Sequence, residues 1–212
     1  GHTLLCYRVV DARFAAAESI ATLGARPSRT GTTFLLWAPT AQQVAVCLYP
    51  SPGDSSSQLV PMRRDVRTGA WAVRAPGSLE GRYYRYLVTS IVPSVGLVLN
   101  RTTDPYALSL SANSERSAIV DLSGDAVTPT GWRTHATPAR VRAATDLTIY
   151  ELHVRDFSVG DSTVPPDHRG KYLAFTDTLS AGMRHLRTLS RAGITDVHLL
   201  PVFDIATIPE IG

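Results

Sequence analysis

The sequence predicts a mainly β protein: an antiparallel β-sandwich followed by one parallel βαβ unit. Two patterns carry that expectation. Between residues 33 and 90, short runs of β-branched and aromatic residues alternate with Pro, Gly and Ser clusters, the spacing of closely connected antiparallel strands. After residue 146 the order becomes strand, helix, strand with a short helix-to-strand link, which demands a parallel pair and a right-handed crossover. A chain of 212 residues, 44% hydrophobic and only 18% charged, is long and apolar enough to bury a real core.

Residues 1–24 read as a lead-in strand and helix: "ARFAAAESIATLG" (12–24) is Ala-rich and ends in Gly24, which suits a short helix with a glycine cap. The sandwich occupies residues 25–122, with strands predicted at 33–39, 43–50, 70–76 and 82–90. In "QVAVCLYP", Val44, Val46 and Leu48 share one face, the two-residue period of a strand. "VGLVLNRTT" (95–103) reads as the turn before "DPYA", and "SAIVDL" (117–122) as a closing strand. The set matches an immunoglobulin-like sandwich. Residues 123–146, with Pro129 and Pro138 among Thr, Gly and Arg and no sustained period, form a linker.

Residues 147–212 supply the βαβ unit. "LTIYELHVRDF" puts Tyr150, Leu152 and Val154 on one side and Glu151, His153 and Arg155 on the other. Leu179, Met183, Leu186 and Leu189 form a helical stripe over 177–193, with Thr176 or Thr178 as its cap and Gly193 as its stop, and 194–202 is the second strand. This is the truncated start of a (β/α) barrel, because closure takes about 250 residues. The unit therefore packs on the sandwich, pairs with a second copy, or belongs with a missing C-terminal remainder.

Candidate functional residues cluster in this region. Glu151, His153, Arg155 and Asp156 sit where the mouth of a barrel would open. They read as a polar network on the barrel wall, Glu151 and Arg155 satisfying each other. His153 with His198 lacks the further ligands a metal site needs, and Ser158, His153 and Asp156 are triad residue types with no elbow motif. No catalytic or metal residue is assigned. Tyr83, Tyr84 and Tyr86 read as sandwich core, with a flat sugar-stacking platform as the alternative; Trp37 and Trp71 are assigned to packing.

Charge and composition narrow the partners. The net charge of +3 rests on 20 Arg and one Lys, Lys171, scattered along the chain, so nucleic acid is not expected. Nor does any apolar run approach the roughly 18 residues needed to span a bilayer. The chain begins Gly1-His2 with no initiator Met and no signal peptide pattern. It reads as a piece of a longer protein, extracellular or cytoplasmic. Cys6 and Cys47 either close a loop of about forty residues, contributing roughly 3 to 4 kcal/mol, or remain two buried thiols.

Five stretches together resemble one family. "FLLWAPTAQQVAVCLY" with "DPYALSLSANSERSAIVDL" is similar to the starch-binding-type β-sandwich that precedes the catalytic barrel in pullulanases and limit dextrinases. "YELHVRDFS", "GKYLAFT" and "GITDVHLLPVFDIA" resemble the opening of the barrel in those debranching enzymes of the α-amylase clan. The resemblance implies a retaining glycoside hydrolase acting on α-1,6 links in pullulan, branched dextrins, glycogen or starch. It also implies that the nucleophile, the acid and the first barrel signature fall after residue 212, so this chain alone is inactive. Asn113 takes roughly the place of a sugar-contacting Asn, with Tyr106 nearby. No cofactor is implied in this chain; calcium is left to a full-length parent. The alternative is a non-catalytic glucan-binding or barrel-buttressing module.

Overall fold

The computed structural model describes residues 9–55, 57–137, 141–202 and 209. They form two compact units, one within residues 9–132 and the other within 133–202. In the first, the strands run in chain order β1 (Gly24–Ser28), β2 (Gly31–Trp37), β3 (Ala41–Tyr49), β4 (Gln58–Pro61), β5 (Arg63–Arg64), β6 (Ala70–Pro76), β7 (Tyr83–Val92), β8 (Gly96–Thr102) and β9 (Ser117–Ala118). One sheet has the order β1-β2-β6-β5; the other is β4-β3-β7-β8, with β9 also pairing β7. Every pairing in both sheets is antiparallel.

The period-two pattern builds the core. Phe34 and Leu36 of β2, Val44, Val46 and Leu48 of β3, Trp71 of β6, and Tyr84 and Tyr86 of β7 are buried in one cluster. Each such side chain contributes about 1.5–3 kcal/mol by leaving water. Trp71 also donates its indole N–H to the Ala38 carbonyl at 2.9 Å, and half-buried Trp37 donates to Thr68 at 3.0 Å. The run from β4 to β5 changes sheets at buried Met62, whose N–H still bonds the Val44 carbonyl at 2.9 Å.

Strands β2, β3, β6 and β7 lie within two residues of the predicted spans. The segment read as a turn at 95–103 is instead strand β8, the second arm of a hairpin whose tip is Pro93–Val95. Of the closing strand predicted at 117–122, only Ser117–Ala118 pair. The expected helix over 12–24 also changes form. Residues 9–13 are helical, Ala15–Ser19 form a 3-10 turn, and Gly24 opens β1. Gly24 has φ +93, and a Cβ there would stand 2.9 Å from the Tyr106 carbonyl oxygen. Close backbone approach, not helix capping, calls for that glycine. The predicted lead-in strand and Cys6 lie outside the described residues; Cys47 is buried, and burial pushes its thiol pKa up.

In the second unit β10 (Ile149–Leu152) and β11 (Asp196–Leu199) pair in parallel, Tyr150 opposite Val197 and Glu151 opposite His198. Between them lie the short helix α1 (Val154–Ser158) and the longer α2 (Ala181–Arg191). Helix α2 starts later than predicted. Ser180, not Thr176 or Thr178, caps it, accepting from the Met183 N–H at 3.2 Å, and Leu179 lies outside it, 79% exposed. Two more of its free N–H groups are satisfied from the preceding loop: Ala181 donates to Thr163 Oγ1 at 2.8 Å and Gly182 to Asp161 Oδ2 at 3.1 Å. At the other end Gly193, φ +108, donates to Ser190, while Ile194 donates to Leu189. This is the paired closure of a Schellman motif.

Asp161 thus ties the loop to the helix start. Hydrogen bonds from Thr163, then from Gly182, hold its carboxyl below the ordinary 3.8. A carboxylate depressed in the fold contributes stability that is present above the unfolded pKa and lost as pH falls through the folded one. Amide exchange at Gly182 and Met183 is therefore expected to accelerate below pH 3.8, and Asp161→Ala should give fast exchange at neutral pH with the acid dependence removed.

Candidate functional site

In the sandwich, one carboxylate gathers the elements around the predicted sugar contacts. Asp104 is 4% exposed. Its Oδ2 accepts from the Tyr84 hydroxyl at 2.6 Å and the Tyr86 hydroxyl at 3.2 Å, and its Oδ1 from the Tyr106 N–H at 2.8 Å. Its own N–H donates to Ser117 Oγ at 2.8 Å. Tyr84 and Tyr86 meet edge to face at 5.5 Å, and Tyr84 meets Phe34 at 5.1 Å. Both tyrosines are fully buried core and offer no exposed sugar-stacking platform.

From this node the chain leads to the rim. Ala118 donates to Ser109, Leu110 bridges Ser117, and Ser111 exchanges a bond with Arg116 at 2.8 Å. Residues 109–118 are therefore a small hairpin with Ala112–Glu115 at its tip. Asn113 stands exposed on that tip at φ 56, followed by Ser114 at φ 52. Asn tolerates the left-handed region better than most residues; two consecutive non-glycine residues there are uncommon. Two arginines pin the tip from below. Arg85 of β7 donates to the Glu115 carbonyl. Arg116 lies 3.9 Å over the ring of buried Tyr49 and donates to the Ser51 carbonyl at 2.7 Å and to the Asp54 carbonyl. Tyr106 is 45% exposed.

The second unit places its candidates differently from the strand reading. Strand β10 stops at Leu152. His153 becomes the cap of α1, its Nδ1 accepting from the Asp156 N–H at 3.4 Å. Glu151 pairs across the ladder with His198 at 3.3 Å, not with Arg155, which lies 3.5 Å from Asp156. Asp156 also lies 3.8 Å from His153 Nδ1, so the four residues fall into two separate exposed groups, Glu151 with His198 and Asp156 with Arg155 and His153, because the helix turns Arg155 off the strand face. Exposed pairs of this kind contribute about 0–1 kcal/mol. Glu151, His153 and Asp156 do share a hollow of about 320 Å³ with Tyr150 and His185; Arg155 does not line it. Ser158 is buried, its Oγ accepting from the Gly170 N–H at 2.8 Å, so it is a loop anchor and not a nucleophile. Among the described residues, no three His, Cys, Asp or Glu are grouped to hold a metal ion, and no helix is long and apolar enough to cross a membrane.

The family of carbohydrate-binding module 48 (isoamylase N-terminal domain) matches residues 22–107. Those residues are thus similar to a module 48 domain. Over nearly its whole length the chain is pullulanase-like. It is 45% identical over 208 residues to a pullulanase of Klebsiella pneumoniae, covering 96% of this chain and 19% of the relative. To pullulanase 1, chloroplastic, of Arabidopsis thaliana it is 42% identical over 191 residues, 89% of this chain and 20% of the relative. The solved structure of Klebsiella pneumoniae pullulanase complexed with maltotriose superimposes with a TM-score of 0.89 at 43% identity, over 95% of this chain and 20% of that one. The chain thus spans about a fifth of the length of the relatives it matches.

The Asp104 node, together with Arg116 and Tyr49, was not singled out by sequence reasoning. A buried acid is invisible without partners; the available signal was Asp104 followed by Pro105 and a Tyr, downstream of a Tyr-rich strand. Burial, then the Asp104 charge, push the Tyr84 and Tyr86 phenols well above their ordinary value of 10. A phenol kept neutral by the fold contributes stability that is complete below pH 10 and is lost as the pH rises beyond it. Tyr84→Phe should cost about 2 kcal/mol and Tyr86→Phe, with the longer bond, about 1. In urea titrations the double variant should lose less stability above pH 10 than the unsubstituted chain.

Proposed function

We propose that this chain is the N-terminal portion of a pullulanase-type enzyme that hydrolyses α-1,6 links in pullulan or branched dextrins. In this reading residues 25–122 are the glucan-holding module, 123–146 the linker, and 147–212 the opening of the catalytic barrel. The observation that carries it is the match to pullulanases along nearly the entire chain, at a TM-score of 0.89 to one complexed with maltotriose. The parent reaction needs one carboxylate to attack the anomeric carbon and a second, about 5 to 5.5 Å away, to protonate the leaving oxygen. The resemblance assigns both to later strands, so residues 1–212 bind and do not cut. Tyr106 and Asn113 contact α-glucan (pullulan, branched dextrins, glycogen or starch), and Glu151, His153 and Asp156 line the polar mouth of the barrel. Calcium, where a full-length parent uses it, is held outside this chain.

One observation favours a second reading. A groove of about 660 Å³ along the β4-β3-β7-β8 sheet is lined by Leu59, Leu87, Leu97 and Leu99, reaches the core residues Met62 and Trp71, and carries no ionisable side chain. Exposed apolar side chains such as Leu59, Leu97 and Leu99 suit a module that buttresses a neighbouring domain.

Incubated with pullulan, the 212-residue chain is expected to release no reducing ends above a blank, and any turnover would sink the assignment of the carboxylates elsewhere. Titrated with β-cyclodextrin, it should show saturable NMR shifts at Asn113 and Tyr106. Asn113→Ala should weaken binding by about 1 kcal/mol, roughly fivefold. No response at all would favour the buttressing reading.

A further inference from the structure

We propose that Arg116 is the positioning residue of the glucan-facing rim: its guanidinium fixes the Ala112–Glu115 tip, and Asn113 with it, to the Ser51–Asp54 loop. The inference rests on the glucan-binding reading and deepens it. Three contacts define the clasp, namely the Tyr49 ring 3.9 Å below the guanidinium, the Ser51 carbonyl at 2.7 Å and the Asp54 carbonyl. The loop end is itself closed, since Asp54 Oδ2 accepts from the Ser51 N–H at 3.0 Å. The tip end is closed by the Arg116 N–H on Ser111 Oγ at 3.0 Å and the Ser111 N–H on the Arg116 carbonyl at 2.8 Å. One side chain therefore joins two loops that lie 62 residues apart in sequence. A planar fork over an aromatic ring is a task that lysine's single ammonium cannot reproduce.

Stability alone is a poor account of this arrangement. Among the buried side-chain nitrogen and oxygen atoms of the described residues, Arg116 Nε is the one without a hydrogen-bond partner, and such an atom carries the full cost of its desolvation. The adjoining tip holds Asn113 and Ser114, two of the three non-glycine residues with positive φ among those described. Local costs that gather in one place persist where the surroundings over-determine them, and functional rims are where they collect. A rim held in this way presents Asn113 in one conformation and spares a ligand the ordering penalty.

The test uses the full 212-residue chain, β-cyclodextrin as the probe, and the variants Arg116→Met, Arg116→Lys and Asn113→Ala. Both Arg116 variants are expected to bind about tenfold more weakly, as when the competent rim is populated about a tenth of the time. They should also exchange the Ser111 amide faster, while the amides of Val46, Tyr84 and Tyr86 stay protected. If Arg116→Met fails to fold, Arg116→Lys carries the test. Unchanged affinity in a folded Arg116 variant, with Asn113→Ala still weakening binding, overturns the proposal and leaves the glucan reading standing. So does a loss of affinity that comes only with lost core protection. Absence of binding by the unsubstituted chain, or indifference to Asn113→Ala, overturns the glucan reading and the proposal together.

Discussion

The sandwich depends on one buried negative charge being fully partnered. Asp104 takes hydrogen bonds from two tyrosines of β7 and from the backbone of Tyr106, and gives one to Ser117. A carboxylate removed from water costs several kcal/mol unless its acceptor sites are filled, so the fold closes with the two Tyr hydroxyls and the Tyr106 N–H in register on the carboxylate, while Ser117 Oγ takes the Asp104 N–H. That requirement fixes where the chain returns after β8 and where the hairpin 109–118 leaves the sheet. Core packing supplies the bulk of the stability, and this node supplies the address.

The second unit solves a different problem. Two parallel strands and a helix expose many backbone ends, and the loop between α1 and α2 satisfies them from within. Ser180, Thr163 and Asp161 serve the start of α2, the Gly193 turn serves its end, and His168 meets Asp177 at 2.9 Å across the loop. Phe157 and Phe175 stack at 4.3 Å, and Val164 and Ala174 are fully buried. The long loop is thus a packed element with its own small core, which a reading of its Pro and Gly content alone leaves open.

The four central strands were legible because each is a short apolar run bounded by turn residues. Strand β4 was not, since Pro61 argues against a strand; it is tolerated because β4 is the edge of its sheet. Strand β8 was hidden by its neighbours: the turn residues Pro93 and Ser94 precede it, and it runs directly into Asp104 and Pro105. Alternation from Ile149 to Arg155 looked like one continuous strand because three alternating residues also fit the first turn of a helix, and only the cap formed by His153 separates the two. Of the candidate site, Tyr106 and Asn113 were reached through the family resemblance. Arg116 looked like any other arginine in a chain with 20 of them; its role rests on contacts from 62 to 67 residues away.

The change of sheet at Met62 has a mechanical side. Residues 58–61 are hydrogen-bonded into one layer and residues 63–64 into the other, with a single residue between them. Sliding one layer over the other would have to stretch that residue's backbone, so the two layers are stitched as well as stuck together. Force transmitted from a neighbouring domain into either sheet is shared by both, and the module should yield as a single body rather than peel open leaf by leaf.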